Sequence, residues 1–122
     1  MPTEAEYLQV LAEIFASKAS ALRVGIGDDA AVVDVTKNSL ALSTDMAVEG
    51  VHFKREWSSN FEIGAKITAA NLADIYAMGG KPQYLMVAAA IPADFSIEQL
   101  SELARGIADE AAKVGAIVVG GD

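Results

Sequence analysis

Five aspartates stand where an acidic side chain is costly: Asp28 and Asp29 in a turn, Asp45 after an apolar run, Asp74 inside a helical stretch, and Asp122 after a β-type run. Aspartate is a poor helix-interior residue because its side chain competes for backbone groups, yet Asp74 lies among Leu72, Ala73, Ile75 and Tyr76. Helical spacing puts Asn71 on the same face, three residues earlier. Taken singly, each acid is at home capping a turn or facing solvent. As a set, with Ser43 and Thr44 beside Asp45, they form the oxygen-donor collection that suits hard cations such as Mg²⁺. The chain has no Cys and one His, His52, which disfavours zinc and excludes thiolate chemistry. An EF-hand draws its ligands from twelve consecutive residues, so acids spread this widely have to be gathered from separate elements. That suits nucleotide–magnesium chemistry, in which cations bridge phosphate oxygens.

The elements that would gather them follow from capping and periodicity. Thr3 with Glu6 forms a capping box ahead of Tyr7, Leu8, Leu11, Ile14 and Phe15, predicting a helix to about Lys18. Leu22–Val24, Ala31–Val35 and Ser39–Thr44 read as short strands joined by tight turns, and Val48–Phe53 as a further strand. A helix is expected from about Asn60 to Met78, stopped by Gly79-Gly80 and Pro82. Tyr84–Ile91 reads as a buried strand, Ser96 to Gly115 as a capped amphipathic helix, and Ala116–Val119 as a last strand. This order predicts a single domain over residues 1–122 of the α+β (mixed α/β) class, a sheet with helices packed on one face.

Gly25-Ile26-Gly27-Asp28-Asp29-Ala30 matches the loose dinucleotide pattern G-x-G-x-x-A. That pattern needs a helix next, whose amides face the pyrophosphate, whereas Ala31–Val35 reads as a strand. Two adjacent carboxylates would also repel a phosphate. No Walker-type loop is present.

Hydrophobic residues are 52% of the chain, enough for a packed core. The net charge of −8, without a basic block, argues against nucleic acid as a partner and requires a cation to mediate any polyphosphate. The apolar run Tyr84–Ile91 ends at Pro92, far short of the roughly 20 residues that span a bilayer. Glu4 and Glu6 are unlike the basic start of a signal peptide, so no membrane partner and a cytoplasmic location are expected. An apolar run meeting Gly120-Gly121-Asp122 at the last residue reads as the first part of something longer.

GIGDDAAVV at Gly25–Val33, STDMAVEGVHF at Ser43–Phe53, NLADIYAMGGKP at Asn71–Pro82 and GGD at Gly120–Asp122 together resemble the thiamine-monophosphate kinase family, in that family's order. Its relatives with the aminoimidazole ribonucleotide synthetase-like fold share the Asp-rich pattern, and V-E-G-V-H-F favours the kinase. The resemblance covers the N-terminal, ATP- and Mg-binding part of a longer protein, with the family's C-terminal domain absent. It implies ATP-dependent phosphorylation of thiamine monophosphate to thiamine diphosphate with several Mg²⁺ ions. Carried over by position, Asp29, Ser43, Thr44, Asp45, Asp74 and Asp122 match metal ligands, Gly121 and Asp122 nucleotide contacts, and His52 a substrate contact; Asp28 matches less closely. No residue is assigned as general base, because the accepting phosphate is already ionised near neutral pH.

The resemblance also implies a homodimer joined through its sheets. Two other readings stand beside the kinase: a non-catalytic dimerisation module, and another ATP-dependent member of the same superfamily. For His52 the plain alternative is a partly buried strand histidine. Trp57, Phe61 and Tyr84 are read as core or interface packing, and Lys54, Arg55, Lys66 and Lys81 as solvated surface.

Overall fold

The structure, a computed structural model, describes residues 2–28, 30–35 and 39–122. Helix α1 (Glu4–Ile14) begins where the Thr3 hydroxyl and Glu6 carboxylate close a reciprocal capping box. The same device, Ser59 with Glu62 and Ser96 with Gln99, starts α2 (Asn60–Ala77) and α3 (Ile97–Ala112). Each box satisfies amide groups that a helix start otherwise leaves without partners.

Helix α3 is the hub. Leu100, Ala104, Ile107 and Ala111 fall on one stripe and are all buried. Phe15, just past α1, joins Ala104, Ile107 and Val118 in the main core, while Leu72 of α2 meets Ala111 and Ala116 in a second cluster. The α2–α3 crossing is close because glycines sit at the contact. A Cβ on Gly106 would come to 2.0 Å from the Phe61 carbonyl oxygen, and one on Gly64 to 2.2 Å from that of Leu103.

Strands β1 (Leu22–Val24) and β2 (Val32–Val33) pair antiparallel, and β3 (Tyr84–Val87) pairs parallel with β4 (Ile117–Gly121). Parallel neighbours need a long crossover, and α3 supplies it. The parallel pair sets Val87 opposite Gly121, whose φ is +149°. A Cβ there would lie 1.6 Å from the Val87 carbonyl oxygen, so only glycine fits this register.

The mixed α+β reading and the three helices agree with the structure. The expected strands are shorter. Tyr84–Ile91 contracts to Tyr84–Val87, since Ala88-Ala89-Ala90 are weak strand formers running into Pro92. It is also half-buried rather than buried: Met86 is 71% exposed on a pair of strands that leaves edges open. Ala31–Val35 narrows to Val32–Val33, which still follows the G-x-G-x-x-A stretch with a strand. Ser39–Thr44 forms no strand, because a ladder needs a neighbour and none lies alongside among the described residues. Leu42 is 90% exposed there. Val48–Phe53 is a tight turn with a single bridge between Glu49 and Phe53, made possible by Gly50 at φ +82°.

Candidate functional site

The groove beside α2 is built by the extended segment 43–47, the turn after it and one exposed face of the helix. Asp45, Met46, Ala47, His52, Phe53, Lys66, Ile67, Ala70 and Asn71 line it, and it encloses about 180 Å³. A drug-sized ligand needs roughly 300 Å³ or more, so this groove holds a fragment such as a phosphate group. A second hollow, lined by Gly50, Val51, Lys54, Trp57, Ser58 and Ile63, shares His52, Phe53 and Lys66 with the first. Its lining contains two lysines and no carboxylate. The three shared residues therefore divide a groove bearing the Asp45 carboxylate from a cationic hollow.

The aspartates are placed differently from the cost that their sequence positions suggest. Asp74 is exposed, so no desolvation has to be offset. The reason is rotational: α2 turns Ile63, Gly64, Thr68 and Leu72 inward, and two residues beyond Leu72 the helix faces away. From across the groove the Ser43 hydroxyl approaches the Asp74 carboxylate at 3.5 Å, a long contact that brings together two residues 31 positions apart. Asp45 accepts from the Met46 N–H at 2.8 Å, which fixes one carboxylate oxygen beside the groove. Thr44 is exposed between them. Asn71 turns its amide back to the Ile67 carbonyl at 2.9 Å.

Asp122 lies past β4, its backbone tied to Val87 and Ala89 at 2.9 and 2.6 Å, with Gly121 preceding it in the close register with Val87. Asp29 lies outside the described residues. Among the described residues no three acidic or histidine side chains form a group able to hold a metal ion. Like charges exposed in water gain nothing by converging unless a cation sits among them. Ser43, Thr44, Asp45 and Asp74 are nevertheless hard oxygen donors facing solvent, and that chemistry fits Mg²⁺ with part of its water shell retained.

His52 is exposed in a turn, not half-buried in a strand. The Val48 N–H donates to its Nδ1 at 3.0 Å, and its own N–H returns a bond to the Val48 carbonyl at 2.9 Å. The Lys66 ammonium donates to the His52 carbonyl at 3.0 Å. Arg55 closes the same turn on Glu49 at 2.7 Å, and this bond raises the guanidinium's pKa further. Trp57 does not pack in the core: it is 74% exposed, with the Lys54 ammonium 4.6 Å from its ring centre. The role of Lys66 was not legible in the sequence, since a lysine bound to a backbone carbonyl leaves no motif.

With this geometry established, known proteins place the chain. The family described as AIR synthase related protein, N-terminal domain, matches residues 27–122. The chain belongs to this family. As an AIR synthase related domain it is 41% identical over 99 residues to a thiamine-monophosphate kinase of Mycobacterium tuberculosis, covering 81% of this chain and 30% of that protein. It is 36% identical over 104 residues to the thiamine-monophosphate kinase of Bacillus subtilis, covering 84% of this chain and 32% of that one. The crystal structure of a thiamine-monophosphate kinase from Stenotrophomonas maltophilia superposes with a TM-score of 0.80 at 30% identity, over 98% of this chain and 37% of that chain. The AIR synthase related domain thus spans about a third of these relatives. Among its described residues no helix is long and apolar enough to cross a membrane.

Proposed function

We propose that the chain supplies the N-terminal part of a thiamine-monophosphate kinase, which moves the γ-phosphoryl group of ATP to the phosphate of thiamine monophosphate. The observation that carries this reading is the division of the groove: exposed oxygen donors on one side, cationic side chains on the other, and His52 between. A phosphate oxygen of the acceptor attacks the γ-phosphorus as the bond to the β–γ bridging oxygen breaks and ADP leaves. Mg²⁺ ions, when bound, neutralise charge on the phosphates as the group transfers.

The chain's own residues do the positioning. Ser43, Thr44, Asp45 and Asp74 would hold the cations, with Asp29 and Asp122 completing the set. Gly121 has no side chain to keep a nucleotide from the end of β4, and His52 touches the acceptor. The acceptor phosphate is ionised near neutral pH, so the chain need not deprotonate it. Catalysis then rests on alignment and charge neutralisation. The protein would act in the cytoplasm as a homodimer, without nucleic acid or membrane partners.

The test is phosphorylation of thiamine monophosphate by the complete protein with ATP, with and without Mg²⁺. Formation of thiamine diphosphate only with the cation supports the reading. Absence of product at saturating ATP, Mg²⁺ and acceptor would sink it. A second reading, a non-catalytic dimerisation module, is favoured by the apolar surface of Leu40, Leu42, Met46 and Val51, each more than half exposed. Dimers with no nucleotide affinity would decide for it.

A further inference from the structure

We propose that His52 meets its ligand as a neutral imidazole donating from Nε2–H, and that Lys66 is the positioning residue that holds it so. This rests on the reading of His52 as an acceptor contact. A neutral imidazole has one donor and one acceptor nitrogen, and the partner of one fixes the task of the other. Here the Val48 N–H occupies Nδ1, so the proton resides on Nε2 and the remaining nitrogen can only give a hydrogen bond. His52 is thereby a hydrogen-bond donor to a phosphate or heteroatom of the ligand, not a proton acceptor from it.

The ring keeps this orientation only while the turn does. Residues 48–53 hang on short bonds within the turn, and Lys66, two helical turns into α2, ties the His52 carbonyl to a packed helix. The lysine acts through the backbone of His52, leaving its own ammonium on the wall between groove and hollow.

The experiment uses the complete protein labelled with ¹⁵N-histidine, with Lys66→Met, Lys66→Arg and a His52→Gln variant that identifies the His52 resonances. In the wild type, Nδ1 should give the shift of an unprotonated ring nitrogen. In Lys66→Met it should move toward tautomer averaging, and the KM for thiamine monophosphate should rise about tenfold with kcat held within about twofold, the pattern of a lost ground-state contact. Lys66→Arg should restore most of both. A wild-type Nδ1 bearing the proton overturns the tautomer, and unchanged resonances and KM in Lys66→Met overturn the lysine's role. Should Lys66→Met not fold, the wild-type spectrum still decides the tautomer and Lys66→Gln, shorter but still a donor, decides the lysine. A wild-type protein with the expected resonances but no kinase activity would refute the functional reading while supporting the lock on the ring.

Discussion

At the scale of single residues, exposure reverses the energetic expectation for Asp74. Its carboxylate sits in water, so Asp74→Ala removes no buried partner and exchanges a poor helix former for the best one, a gain of up to about 0.7 kcal/mol. Urea melts in excess chelator should therefore show the variant equal to or slightly more stable than the wild type. Calorimetric titration of the complete protein with ATP should show that the variant has lost the difference between Mg²⁺ and chelator. A fall of 2 kcal/mol or so in the chelator melt, with the magnesium response intact, would make Asp74 structural, since that is about the loss when a buried hydrogen bond is broken. Resemblance of motifs made Ser43, Asp45 and Asp74 legible as a set, and the fold does bring Ser43 to Asp74. Their exposure was not legible, because the apolar neighbours of Asp74 are shared between an inward stripe and an outward face largely of alanine.

Among the elements, helices were the readable part, for a local reason: a Ser or Thr three residues before Glu or Gln marks a start without reference to the rest of the chain. Those caps also titrate. The Ser59 backbone N–H, then its hydroxyl, bonds the Glu62 carboxylate and holds its pKa below the ordinary carboxylate value; Thr3 does the same for Glu6. A pKa lowered in the folded state contributes stability that is present above the unfolded value, about 4.3, and is lost as pH falls through the folded one. Glu62→Gln keeps the cap and removes the titration. Denaturant midpoints from pH 7 to pH 2.5 should fall less steeply for the variant, and parallel acid limbs would show the cap carboxylate uncoupled from folding. The α2–α3 contact gives a sharper expectation. Gly106→Ala gains about 1 kcal/mol in helix propensity but drives a Cβ into the Phe61 carbonyl, so a net loss of roughly 1–3 kcal/mol should appear in urea melts. Strand lengths were misread because a strand depends on its neighbour, and the run Ser39–Thr44 has none among the described residues.

For the whole molecule, the apolar surface of residues 40–51 is the feature most in need of a partner, and self-association covers it with a second copy. Light scattering at micromolar concentration should give twice the chain mass, and Leu42→Asp should give the single mass while melting like the wild type, because Leu42 has little to lose in the monomer at 90% exposure. An unchanged dimer would move the interface elsewhere. The unladdered segment 39–47 also carries a kinetic signature. Among the described residues none of its amides donates to a backbone carbonyl, so in deuterium these protons should exchange at nearly the rate of an unstructured peptide, while those of α3 wait for global opening. Any partner that adds a strand to this segment would slow the exchange of alternate residues along it, converting a static absence of neighbours into a clock that starts when the partner leaves.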